Sequence, residues 1–202
     1  MKTVVINAGP KRRDNNAKLM KSAAEGAEMA GADVEYIDLY SLDLRGCMNC
    51  TICKQDGRTG KCYWRDEVSP LIENILAADC LLIGSPIFFS EPTSHYRALM
   101  ERLIYCIVSY DVGNTFKGKI NVGLFYTINF SKEYFEKSVR PNLKLSEDLF
   151  KMFNGEVVIY TSCNFTKRDL AKLDEDEVSL KEKEFSFDLD SAFEIGKKLS
   201  KI

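Results

Sequence analysis

The chain has 202 residues, 45% of them hydrophobic, a size and composition that suit one α/β domain with a sizeable buried core. Its 28 basic and 30 acidic side chains leave a formal charge of −2, which excludes a basic face for nucleic acid, and Lys11-Arg12-Arg13 is the one dense basic cluster. No apolar run reaches the length of a membrane span and the chain opens on a strand pattern with no signal peptide, so a cytoplasmic protein without a membrane partner is expected; seven cysteines in that compartment point to metal, cluster or redox use rather than a disulfide framework.

Thr3 to Asn7 (TVVIN) reads as a short apolar strand running into a turn-rich basic loop, Ala8 to Asn16. A helix follows, with Leu19, Ala23, Ala27 and Ala30 on one stripe and Gly31 as its stop. Val34 to Leu39 alternates as a second strand, and this β-loop-α-β opening predicts a doubly wound sheet. Arg45 to Arg65 carries four cysteines and three glycines without a period. Asp66 is placed to cap a helix in which Val68, Leu71, Ile72, Ile75 and Leu76 share a face.

Cys80 to Ile83 is a continuous apolar run between Asp79 and Gly84-Ser85-Pro86, the pattern of a central strand buried on both faces. Its carboxyl end is expected to break into a loop with two prolines and two phenylalanines. A helix then starts at Thr93, with Tyr96, Leu99, Met100, Leu103, Ile104 and Ile107 at helical spacing. Lys119 to Thr127 and Glu156 to Thr161 read as a fourth and a fifth strand. Between them Ser131 to Phe153 is helical in composition, interrupted at Pro141. Thr166 to Glu184 is highly charged and aperiodic, which predicts a functional or mobile arm. A last helix, with Leu189, Ala192, Phe193, Gly196 and Leu199 on one face, closes a single domain over residues 1–202.

The loop from the first strand to the first helix suits an anionic phosphate. Backbone N–H groups and the positive end of the helix dipole converge there, Asn15 and Asn16 add amide donors, and Lys11 to Arg13 add charge. It is neither a Walker loop nor G-x-G-x-x-G, and a solvated basic turn is the plain alternative. Phe88 and Phe89, beyond Pro86 at the central strand's carboxyl end, are placed to border a flat ring; ordinary capping of the core is the alternative there. His95, the single histidine, reads as a partly exposed helix-start residue.

Three segments, Ile6-Asn7-Ala8-Gly9-Pro10-Lys11 to Asn15, Gly84-Ser85-Pro86-Ile87-Phe88-Phe89 and Phe116-Lys117-Gly118-Lys119, together resemble the flavodoxin-like NAD(P)H-dependent FMN reductases, which are related to the multimeric flavodoxins. The resemblance covers nearly the whole chain. It implies a five-stranded parallel sheet of order 2-1-3-4-5 with helices on both faces. It also implies FMN held by Gly9, Pro10, Lys11, Asn15 and Asn16 at the phosphate, and by Ser85, Pro86, Ile87, Phe88 and Phe89 at the ribityl chain and ring. Thr127 and Asn129 belong to a further loop that is often rich in glycine in that family. In the first loop Gly9 stands for the usual Ser, Asp14 for Gly and Asn16 for Thr, which removes two hydroxyls, adds a carboxylate and should weaken FMN.

Cys47, Cys50, Cys53 and Cys62 form C-x2-C-x2-C-x8-C, which resembles the iron–sulfur flavoproteins of the same family, whose last gap is usually shorter. A [4Fe–4S] cluster, a four-thiolate zinc site and a regulatory disulfide are open to this set. The long gap, with no proline after Cys62, favours reduced thiols without metal. Cys80, Cys106 and Cys163 read as small core hydrophobes. The resemblance implies an oxidoreductase that passes electrons from NAD(P)H through FMN to a quinone, flavin or other small acceptor, as a homodimer or homotetramer. Two rivals stand beside it: an iron–sulfur electron carrier and a cofactor-free flavodoxin-like binding protein. No catalytic acid or base is expected, because the flavin does the chemistry.

Overall fold

Five strands pair into a parallel sheet in the computed structural model, which describes residues 1–163 and 174–201. The strands are β1 (Lys2–Asn7), β2 (Asp33–Asp38), β3 (Cys80–Phe88), β4 (Ile120–Ile128) and β5 (Asn154–Cys163). They pair in the order β2-β1-β3-β4-β5, all parallel, as expected of a flavodoxin-like sheet. The helices are α1 (Asn15–Met29), α2 (Val68–Leu76), α3 (Ser94–Ile107), α4 (Arg140–Leu149) and α5 (Glu175–Leu199).

Alternation along the strands divides the core in two. Val4, Ile6, Leu81, Ile83, Val122 and Leu124 face α2, α3 and α4, while Val5, Leu82 and Phe125 face α1 and α5. The predicted faces of α2 and α3 are buried apart from Leu76, which is half-buried. Asp66 Oδ1 accepts the N–H groups of Val68 and Ser69 at 3.1 and 3.0 Å, the capping role expected of it.

The structure corrects three expectations. The central strand does not break at Gly84: β3 runs through Gly84-Ser85-Pro86 to Phe88, paired as far as Pro86 opposite Thr127 of β4. Pro86 is tolerated because β1 ends opposite Gly84, so no ladder bond toward that side is lost. The charged stretch from Glu175 to Glu184 is the first part of α5. Asp174 and Glu177 form a capping box there, and three acidic residues occupy the first turn, where the dipole favours them. Residues Thr166 to Leu173 of the expected arm lie outside the described residues. Cys163, read as core, is only half-buried, unlike Cys80 and Cys106.

Pro141 leaves its mark as expected. A single turn at Lys132–Tyr134 widens into a π-helical turn over Phe135–Val139, and α4 then starts with Pro141 in its first turn, where a missing N–H costs little. Among the described residues no helix is long and apolar enough to cross a membrane.

Candidate functional site

The two expected loops leave β1 and β3 side by side at the carboxyl end of the sheet, next to the point where the strand order reverses. They are bonded to each other. Ala8 N–H donates to Gly84 O at 2.8 Å, and Thr93 Oγ1, the cap of α3, donates to Ala8 O at 2.7 Å. Ser85 Oγ accepts from Thr93 N–H at 3.0 Å, which holds the start of α3 against the end of β3.

Asn7, which its sequence pattern marks only as the end of an apolar strand, is the hub of the first loop. It is fully buried. Its Oδ1 accepts from Gly9 N–H (3.0 Å) and Asn16 Nδ2 (2.6 Å), and its Nδ2 donates to Asp38 Oδ1 (2.9 Å) and Lys11 O (3.3 Å). Asn16 Nδ2 also donates to Gly84 O at 3.0 Å, so both amide hydrogens of Asn16 tie the loops together instead of facing outward. A Cβ at Gly9 would lie 3.1 Å from Asn7 Oδ1 and 3.2 Å from Asn16 Nδ2, which accounts for glycine where a serine is usual. Asn15 stands half-buried in the first turn of α1, and Pro10, Lys11, Arg12 and Arg13 are exposed. Arg12 lies 3.5 Å from Asp38. Asp14 caps α1 by accepting Ala17 N–H at 3.0 Å, which puts a carboxylate at the helix's positive end.

In the second loop Ile87 is buried, Phe88 half-exposed and Phe89 fully exposed. Phe88 and Glu91 pair across a two-residue turn in which Phe89 (φ +52°) and Ser90 (φ +67°) are both left-handed. That backbone ordinarily calls for Asn-Gly, so a phenylalanine and a serine there hold strain of about 1–2 kcal/mol each. Thr127 is half-buried opposite Pro86, and Asn129 is exposed just past β4. Beyond it the Phe130 and Tyr134 rings pack at a tilt with centres 4.7 Å apart, and both are exposed. His95 is half-buried, as expected, and stacks on Tyr40 with ring centres 3.7 Å apart; burial pushes its pKa down.

These features fit a flavin phosphate and ring. The loop is cationic at a helix N-terminus, an exposed aromatic pair is held on a strained turn beside it, and Asn16 Oδ1, buried without a partner among the described residues, is an acceptor that suits a ribityl hydroxyl and not the phosphate. Asp14 opposes the fit at the phosphate.

Farther along α3, all four cysteines of the C-x2-C-x2-C-x8-C set line one cavity of about 20 Å³ with Arg102, Tyr105 and Cys106. The eight-residue gap is taken up by turns at Gly57 and Gly60, both left-handed, and Gly60 N–H donates to Cys106 O at 2.7 Å. Asn49 and Thr51, on either side of Cys50, are also left-handed. Lys54 places its ammonium over the Tyr105 ring at 3.7 Å and donates to the carbonyls of Tyr105 and Val108. Burial pushes the Cys53 thiol up and the Cys106 thiol up to about 12. Cys106, read from sequence as core, is therefore also a fifth sulfur on the cavity wall. The set matches a cluster in ligand type and number but does not fit one in place: among the described residues no three such side chains are grouped to hold a metal ion, and the cavity has room for about one water.

Arg102 was not legible as a site residue. It is 2% exposed. It is paired through Nη1 and Nη2 with Asp66 at 2.5 and 2.9 Å, and Nη2 also donates to Ser69 Oγ at 2.9 Å and Cys62 Sγ at 3.4 Å. Burial opposes the charge on Asp66, yet the Arg102 guanidinium holds its carboxyl below the usual range.

The chain is similar to two groups of known proteins. An iron–sulfur flavoprotein of Methanocaldococcus jannaschii is 28% identical over 123 residues, 61% of this chain and 62% of that protein. One from Archaeoglobus fulgidus is 29% identical over 102 residues, 50% and 48% of the two chains. The chain thus spans less than two thirds of the length of these curated relatives. Among solved structures, an NAD(P)H:quinone oxidoreductase from Methanothermobacter marburgensis superposes with a TM-score of 0.76 over 98% of both chains at 18% identity. An azoreductase from Bacillus anthracis does so with a TM-score of 0.70 at 16% identity, over 98% of this chain and 99% of its own. Both likenesses show the same flavodoxin-like fold. The family model described as NADPH-dependent FMN reductase matches residues 1–160, and the chain accordingly belongs to that family.

Proposed function

We propose that this chain is an FMN-dependent oxidoreductase that passes electrons from NAD(P)H through bound FMN to a quinone, a flavin or another small acceptor. The observation that carries this reading is the bonded junction of the two loops through Ala8, Gly84, Asn16 and Thr93, beside an exposed aromatic pair. Gly9, Pro10, Lys11 and Asn15 would hold the phosphate, with Asn16 contributing its backbone N–H. Ser85, Pro86, Ile87, Phe88, Phe89, Thr127 and Asn129 would border the ribityl chain and ring. FMN, when bound, accepts hydride and releases electrons singly or in pairs. The protein's part is to orient the ring, exclude water with Phe88 and Phe89, and leave one face open for NAD(P)H and then the acceptor. The names of the solved neighbours, a quinone oxidoreductase and an azoreductase, agree with a small organic acceptor. The work of such an enzyme belongs in the cytoplasm, where NAD(P)H is supplied.

A titration of the purified protein with FMN, followed by addition of NADH or NADPH without air, tests the reading. Quenching of flavin fluorescence and bleaching of its absorbance are expected. A chain that takes up no FMN at tens of micromolar would overturn it and leave the cofactor-free binding protein.

A second reading concerns the cysteine cavity alone. Its four cysteines line one cavity despite the long gap, and the relatives of similar sequence are named iron–sulfur flavoproteins. Cys47, Cys50, Cys53 and Cys62 would then hold a cluster, which supplies one-electron transfer when bound. The visible spectrum of protein purified without air separates flavin alone from flavin with cluster.

A further inference from the structure

We infer that Cys62 is a site of reversible oxidation, a thiol that hydrogen peroxide converts to a sulfenic acid whose single oxygen is received by Arg102 within the cysteine cavity.

Five sulfurs line that cavity, in unlike surroundings. Cys53 and Cys106 are buried, and burial keeps both as unreactive thiols, pushing the Cys106 group up to about 12. Cys50 is exposed, and Cys47 and Cys62 are half-buried. Among the described residues Cys62 is the one whose sulfur accepts a bond from a cationic side chain, Arg102 Nη2 at 3.4 Å. A partly exposed sulfur beside a fixed positive charge is the setting in which cysteine oxidation is selective, because the cation steadies the negative charge that passes from sulfur to oxygen.

Arg102 also has a donor to spare. It is 2% exposed, and a buried guanidinium is tolerated only when its donors are matched. Asp66 takes Nη1 and Nη2 in a fork at 2.5 and 2.9 Å, and Arg45 O accepts from Nη1 at 3.3 Å. The second hydrogen of Nη2 turns to Ser69 Oγ at 2.9 Å and to Cys62 Sγ. The guanidinium is planar, so Nε–H leaves it parallel to that hydrogen, from the edge that faces Cys62. Nε is buried without a partner among the described residues. Arg102 and Cys62 both line the cavity, whose volume of about 20 Å³ has room for one water, and so for one oxygen atom. A single oxygen on Cys62 thus finds space and a charge-assisted donor together. A second oxygen finds neither, which holds the sulfur at the reversible first stage of oxidation and away from sulfinic acid.

In the reaction the Cys62 sulfur attacks one oxygen of hydrogen peroxide. The S–O bond forms as the O–O bond breaks, the sulfur loses two electrons, and the departing hydroxide takes the thiol proton and leaves as water. A neighbouring cavity thiol can then attack the oxidised sulfur and expel its oxygen as a second water, leaving a disulfide that thiols reduce.

The experiment treats the reduced full chain with equimolar hydrogen peroxide in a large excess of a cyclic 1,3-dione, which captures a sulfenic acid before a second thiol reaches it. Peptide mass spectrometry then locates the adduct. It should lie on Cys62 and not on Cys50, although Cys50 is the more exposed. Arg102→Lys keeps the charge and removes Nε. In that variant, shown to be folded by near-ultraviolet circular dichroism, the adduct on Cys62 should fall about tenfold, the effect of losing one charge-assisted hydrogen bond, while labelling of Cys50 stays as it was. An adduct chiefly on Cys50, as exposure alone would give, or none on Cys62, would overturn the inference; this comparison lies within the wild type and stands even if the lysine variant fails to fold. Equal labelling of Cys62 in the wild type and the folded variant would overturn the role of Arg102. The inference requires a cavity free of metal, so iron retained there by protein purified without air would overturn it as well.

Discussion

Asp14 is where the site carries its own opposition. Its carboxylate caps α1 well but stands at the helix end that a phosphate would use. Asparagine caps equally well and is uncharged, so Asp14→Asn should leave the melting temperature unchanged and tighten FMN by about fivefold, ~1 kcal/mol, in a fluorescence titration at low salt. Unaltered affinity would move the phosphate away from this helix. Glu147 is a second residue whose charge and place disagree. It is buried with Oε1 unpartnered, Oε2 is paired with Arg140 Nε at 3.1 Å, and the buried phenols of Tyr96 and Tyr126 lie nearby. Burial raises its pKa, opposed by Arg140 and Lys144 and helped by Asp148. A carboxyl with a folded pKa above its unfolded value adds stability below the unfolded value, about 4.3, and loses it as the pH rises through the folded one. Glu147→Gln keeps an oxygen for Arg140 and does not titrate. Its melting temperature relative to the wild type should therefore climb from acid to neutral pH and then level off; a difference that does not vary with pH would count against this account.

Helices α1 and α5 meet backbone to backbone. A Cβ on Gly26 would lie 2.0 Å from Phe193 O, and one on Gly196 would lie 2.0 Å from Ala23 O, so neither position has room for a methyl group. Ser22 Oγ donates to Leu189 O across the same contact at 2.7 Å. Gly196→Ala, favourable for an isolated helix, should here destabilise by about 1–3 kcal/mol and lower the melting temperature by roughly 5 °C. A rise in thermal denaturation midpoint would mean that the helices can part without cost. This pairing also shows what the sequence could and could not reveal. The apolar stripes of α2 and α3 were legible because each buries one continuous face, and β1 and the first half of β3 because they are apolar on both sides. The end of β3 was hidden because Gly-Ser-Pro reads as a turn until β4 pairs with it. The first half of α5 was hidden because no residue of Glu175–Glu184 is buried, which leaves no period to read. At the site, the loop glycines and phenylalanines were legible from local pattern. Asn7, Cys106 and Arg102 were not, because their partners lie on other elements, 40 residues away for the bond between Arg102 and Cys62.

At the scale of the whole molecule four of the exposed aromatic residues gather at one end. Phe88 ends β3 and Phe89 follows it, and Phe130 and Tyr134 follow β4; these strands are neighbours, with Pro86 opposite Thr127, so both loops project from the same end of the sheet. Phe89, fully exposed on a left-handed backbone, gains nothing in a lone chain from either its strain or its ring. A bound flavin between these loops would still be open to water on its outer side. A second copy of the chain that covers this end would bury the four rings and the flavin together, which gives both the strain and the exposure a purpose. Light scattering at micromolar concentration should therefore give at least twice the 22.9 kDa of one chain. Phe89→Ser should shift the population toward the single chain and weaken FMN at the same time, since one surface serves both. A wild type that scatters as a monomer, with or without FMN, would remove the assembly and leave Phe89 as a cover for the flavin alone.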